Sequence, residues 1–196
     1  MTEEDRTAPR ALAALDRVAA AMAFLSGGVF LVLSFYITAD VIGRKFFHFS
    51  TAVSDEVGGY ALALGGMWAL AYTLRTGGHV RIDVLLPYLP RLARLLLDYA
   101  ALATMGLFAA MIAIYGWDLA LESWATDARA MSFMRTPLFA PQGLMALGFS
   151  VLGLEAVAIL AVGLVDSIRV GHLVSLEIGE RGEGVEAGMA SEPPSL

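Results

Sequence analysis

Four long apolar tracts, separated by short polar breaks, set the pattern of the chain. They run over 18–43, 57–74, 95–117 and 143–165, and the second carries no charge, the third only Asp98 and the fourth only Glu155. At about 1.5 Å per helical residue, each can cross a hydrocarbon core of roughly 30 Å. The pattern predicts an all-α integral membrane protein with four transmembrane helices in two hairpins. Between spans two and three, Pro87 and Pro90 interrupt a leucine-rich stretch, which predicts a proline-broken segment lying along the interface. Residues 1–17 read as a polar cytosolic tail with a short interfacial lead-in, and the Gly- and Glu-rich 166–196 as a disordered acidic cytosolic tail. The first tract exceeds the roughly 7–15 apolar residues of a signal peptide, and no A-x-A-like site follows it.

Local signals refine the spans. Asp40 and Arg44, like Arg94 and Asp98, stand four apart and predict ion pairs at the membrane rim. Ser54 is placed to cap span two, with Asp55 and Glu56 in the first turn where carboxylates complement the helix dipole. Within that span Ala61, Gly65 and Ala69 recur every fourth position, a spacing that lets another helix approach closely. Phe46, Phe47, Trp117 and Trp124 suit headgroup-level anchors, and Pro141 suits the first turn of span four.

Composition fits this reading, with 58% hydrophobic and 16% charged residues among 196. The net charge of −6 is dominated by five glutamates in the last twenty positions, so it says little about partners. Nine of the thirteen Lys and Arg residues fall on the side that holds both termini, which places the termini in the cytosol by the positive-inside bias. No basic stripe interleaved with aromatics exists, which excludes a nucleic-acid partner. The absence of cysteine excludes disulfides and thiolate chemistry.

Candidate chemistry is sparse. His48, His79 and His172 lie outside the spans, so a haem held between helices has no histidine ligands. There is no HExxH, no Walker A and no arrangement of nucleophile, base and orienter, so the chain reads as a non-enzyme without metal or cofactor site. Glu155, near mid-membrane, is the sharpest residue, because a carboxylate there costs several kcal/mol unless protonated or paired. A lone acid does not make an ion pathway, so interhelical or intersubunit hydrogen bonding is favoured over ion coupling. Between spans two and three stands a polar island, Arg75-Thr76-Gly77-Gly78-His79-Val80-Arg81-Ile82-Asp83. Arg75, His79, Arg81 and Asp83 read as a fixed cluster contacting a neighbouring subunit or lipid.

The order of residues in that island, followed by Leu89-Pro90 and Arg94, resembles the signature of the small membrane subunit of tripartite ATP-independent periplasmic (TRAP) transporters, the DctQ-like family. The four-span plan over Val18 to Val165, the Asp40-Val41-Ile42-Gly43-Arg44 end of span one and the Thr136-Pro137 approach to span four agree with it, although Leu138 stands where an aromatic is expected. The resemblance implies a non-catalytic subunit of a multi-pass complex in the bacterial inner membrane. It implies as partners a large membrane subunit that carries the substrate and sodium sites, and a periplasmic solute-binding protein that delivers an organic acid. From the residues alone the alternative is a self-sufficient, oligomeric four-helix exporter or channel.

Overall fold

The structure, a computed structural model, describes residues 4–47, 53–77, 89–132, 134–170 and 176, with side chains from Ala14 on. The described residues form four helices: α1 (Glu4–Phe47), α2 (Ser54–Arg75), α3 (Arg91–Ala125) and α4 (Phe139–Val170). All four are long and apolar enough to cross a membrane. The residues read as a tail and lead-in continue α1 without a break from Glu4. The acidic tail beyond 176 lies outside the described residues, as does the stretch 78–88 with the first of the two breaking prolines. Pro90, extended at φ −61° and ψ 148°, stands immediately before α3, which a proline's fixed φ and missing N–H allow. Arg91 and Arg94 therefore belong to α3.

Two sequence signals resolve differently. Val53, not Ser54, occupies the cap position of α2 and supplies no side-chain cap, while Ser54 is the first helical residue and is buried. Asp40 and Arg44 do pair, with the guanidinium Nε donating at 2.9 Å. Arg94 and Asp98 form no ion pair, and both sit on a helix that continues past them into the tract.

The helices stand in a row, α1–α2–α4–α3, rather than closing into a bundle. α1 packs antiparallel on α2, α3 packs antiparallel on α4, and the parallel contact of α2 with α4 joins the two hairpins; α1 touches α4 only slightly. Large apolar side chains such as Phe24, Phe35, Leu107 and Tyr115 remain exposed along the outer helices. In a lipid solvent this arrangement carries no penalty, because apolar side chains meet apolar chains.

Small residues make the close contacts. The buried positions of α3 include Leu102, Gly106, Ala109, Ala113, Gly116, Ala120 and Ser123. Their spacing alternates four and three, the repeat of a left-handed two-helix seam. Gly106 faces Ala156, Gly116 faces Ala146, and Gly153 lies against Ala109 and Ala110, so a Cβ on Gly116 would stand 3.1 Å from that of Ala146.

The hairpins are also staggered. Gly148 of α4 lies against Met67 and Trp68 of α2. The middle of the apolar run of α2 falls at Gly65 and Gly66, whereas that of α4 falls near Leu154, roughly eight residues or ~12 Å beyond the matching level. Both runs share one apolar slab only if the row is inclined to the slab normal. The stagger brings the charged end of α2 to the middle of α4.

Candidate functional site

Arg75 ends a helix whose other charges, Asp55 and Glu56, lie in its first turn. Its chain stops there because the Thr76 N–H bonds to the Tyr72 carbonyl, the Gly77 N–H bonds to that of Leu74, and Gly77 turns at φ 70°, where a side chain would be strained. Side chains lean toward the amino end of their helix, so the guanidinium reaches back between its neighbours instead of outward. There it meets two carboxylates from two other helices. Nη2 donates to Asp16 Oδ2 of α1 at 2.7 Å, Nε makes an ion contact with Asp16 Oδ1 at 2.6 Å, and Nη1 donates to Glu155 Oε2 of α4 at 3.2 Å. Arg75 thereby links α1 to α4.

Glu155 is wholly buried, Arg75 is mostly buried and Asp16 is about one-third exposed, with side-chain exposures of 0%, 14% and 31%. Around them lie Ala19, Ala71, Leu74, Leu152 and Ala156, all buried and apolar. The planar fork of arginine suits two acceptors at once, which a lysine ammonium cannot match with the same geometry. With two acids about one base, the cluster carries an unbalanced negative charge when both acids are ionised. Glu155 Oε1 has no hydrogen-bond partner among the described residues.

At the opposite end of the row a second polar group ties α2 to the connection before α4. Glu56 Oε1 accepts from Tyr60 at 3.0 Å and from Thr136 Oγ1 at 2.8 Å. In the connection before α4 the Ala130 N–H bonds to the Thr136 carbonyl and the Leu138 N–H to that of Ala128, an antiparallel pairing. Asp127 and Arg135 adopt positive φ in this connection. Between the two polar groups, Trp68 Nε1 donates to the Leu144 carbonyl at 2.8 Å, so α2 and α4 are fixed at three levels.

The structure thus brings together Arg75 and Glu155, which stand far apart in the sequence as the end of one span and the middle of another. His79, Arg81 and Asp83 lie outside the described residues. Gly65 is buried under the Phe30 ring and its carbonyl accepts from Ser26 at 2.5 Å. Ala61 lines an open apolar groove between α1 and α2, and the Ala69 carbonyl accepts from Thr73. Asp16 escaped the sequence reading because an acid just before a span looks like an ordinary rim residue. The signal available was the pairing demand of Glu155, with Arg75 as the charge that closes span two. No group of three His, Asp or Glu side chains suited to a metal ion occurs among the described residues.

Comparison with curated proteins and with solved structures returned no significant match. A family model, described as the DctQ component of tripartite ATP-independent periplasmic transporters, matches residues 33–166. That span holds Arg75, Glu155 and the whole α3–α4 seam, while Asp16 lies before it. The match covers more than half of the chain, which therefore belongs to the DctQ family and is a small membrane component of TRAP transporters.

Proposed function

We propose that this chain is the non-catalytic brace of a TRAP-type secondary transporter. In this reading it supports a large membrane subunit during sodium-coupled uptake of an organic acid, which a periplasmic binding protein delivers. It resides in the bacterial inner membrane with both termini cytosolic, so that the Asp16–Arg75–Glu155 end faces the cytosol and the Glu56–Thr136 end the periplasm. Sodium and substrate are held by the large subunit, and this chain holds no cofactor.

The observation that carries the reading is how the interior charges are used. Asp16, Arg75 and Glu155 join three helices to one another. A carrier needs polar groups left open to cargo along a path between helices, and a row of four helices encloses no such path. Broad apolar faces on a row of glycine- and alanine-packed helices are what a scaffold wedged beside a larger membrane protein requires.

The test is reconstitution. The chain purified alone and placed in sodium-loaded vesicles should pass neither sodium nor organic acids, and co-reconstitution with the large subunit should be needed for flux. Flux from the chain alone would overturn the proposal. Reporter fusions active only outside the cytosol should be silent at the carboxyl terminus and active near Ala128; activity at the carboxyl terminus would reverse the sidedness.

A further inference from the structure

Between the last turns of α1 and the first turn of α2 lies an open cavity of about 470 Å³, lined by Ile37, Val41, Arg44, Lys45, Ser54 and Asp55. It sits at the connection end of the row, away from the Arg75 cluster. Its chemistry divides into an apolar part and a charged part. Ile37 and Val41 are partly exposed aliphatic side chains one and two turns deeper along α1 than the basic pair. Arg44 directs Nε and Nη2 to the buried carboxylate of Asp40, which offsets its charge and leaves its Nη1 donors for another acceptor. Lys45 stands with its ammonium 5.8 Å from the centroid of the Phe46 ring. Asp55 is exposed on the first turn of α2.

Asp40 and Asp55 both act on Arg44, so with Lys45 two cations and two anions stand at the cavity above an aliphatic floor. Exposed Phe46 and Phe47 beside them mark the headgroup level. A purely anionic ligand would meet Asp55 at close quarters, and a purely cationic one would meet Lys45. A molecule carrying both charges, with an apolar tail, satisfies every part.

We propose that this cavity binds a phospholipid with a primary-amine headgroup, of the phosphatidylethanolamine class. Its phosphate accepts from Lys45 and the remaining donors of Arg44, its ammonium donates to Asp55, and an acyl chain runs along Ile37 and Val41. Arginine and lysine at a membrane surface recognise phosphate through charge-assisted hydrogen bonds, and a primary ammonium offers a carboxylate three donors. A trimethylated ammonium offers none, so the site discriminates against phosphatidylcholine. The proposal does not depend on the transporter reading, since it concerns the isolated chain.

The experiment is native mass spectrometry of the full-length chain released from detergent with equimolar phosphatidylethanolamine, phosphatidylcholine and phosphatidylglycerol of identical acyl chains. The expected result is preferential retention of one phosphatidylethanolamine. Lys45→Gln should weaken its retention about fivefold, the scale of one basic side chain at a headgroup. Asp55→Asn should remove the preference over phosphatidylglycerol, and Asp55→Glu should restore it. Both positions are exposed, and circular dichroism should show unchanged helix content. Equal retention of the three lipids, a preference for phosphatidylglycerol or phosphatidylcholine in the parent chain, or a phosphatidylethanolamine preference indifferent to both substitutions would overturn the proposal.

Discussion

The α3–α4 seam and the Asp16–Arg75–Glu155 cluster both hold helices together, by opposite means. The seam is uncharged, built from glycine and alanine at alternating intervals of four and three, and its strength is dispersion between closely spaced backbones. Such contacts repeat along the helix, so they fix distance better than register. Register between α3 and α4 comes from the hydrogen bonds of the connection between them and from two directional contacts, Trp117 Nε1 donating to Ser150 Oγ at 3.1 Å and Tyr99 with Ser167 at 3.1 Å. α2 and α4 are parallel and far apart in sequence, so no turn aligns them. Their register rests on directional bonds: Thr136 to Glu56, Trp68 to the Leu144 carbonyl, and Arg75 to Glu155. Within each hairpin close-packed small residues are supplemented by a few side-chain bonds, whereas the two hairpins are pinned to each other by polarity.

The largest effect should follow from removing the shared cation. Arg75→Leu strands a wholly buried carboxylate and frees Asp16, and breaking a buried pair costs about 3–5 kcal/mol. The share of Asp16 is smaller, since it is about one-third exposed and screened by solvent. The measurement is recovery of monodisperse protein and its thermal midpoint in mild detergent. Arg75→Lys should lose less than Arg75→Leu but more than nothing, because an ammonium keeps the charge without the fork. Adding Glu155→Gln to Arg75→Leu should recover part of the loss; a double variant no better than the single would show that the Glu155 charge is not what Arg75 compensates.

A smaller loss should come from the seam. Gly116→Val places branched carbons where a Cβ already comes within 3.1 Å of Ala146, and overpacking costs about 1–3 kcal/mol. Because the seam fixes distance, the outcome is a drop in thermal midpoint with helix content retained. A Gly116→Val protein as stable as the parent would mean that α3 and α4 stand further apart than described.

How much of this could be read in advance follows from the same contrast. The four helices were legible because a bilayer-length apolar run leaves the backbone no alternative to helix. The seam was also legible in principle, since the alternating four-and-three spacing from Leu102 to Ser123 stands in the sequence. Ala61, Gly65 and Ala69 form an equally regular pattern in α2, yet of these three only Gly65 is buried. The pairing of Arg75 was not legible. Its spacing points to the polar island that follows it, whereas its partners lie 59 and 80 residues away and are selected by the stagger of the hairpins. Periodicity reports which face of a helix is buried; it does not report which helix covers that face.

The smallest effect distinguishes two glycines on one helix. Gly58 and Gly65 are two turns apart and occupy nearly the same face of α2. A Cβ on Gly65 would stand 2.5 Å from the Phe30 ring, whereas one on Gly58 would have nothing within 4 Å. The difference arises because α1 covers Gly65 with Phe30 and Ser26, whereas no side chain stands against Gly58. Gly65→Ala should therefore lower the thermal midpoint, since the ring must move and the Ser26 bond to the Gly65 carbonyl is disturbed. Gly58→Ala should leave it unchanged or raise it by the equivalent of at most ~1 kcal/mol, the helix-propensity gain of alanine over glycine. Equal destabilisation by both substitutions would mean that Gly58 is covered as closely as Gly65, contrary to the open space beside it.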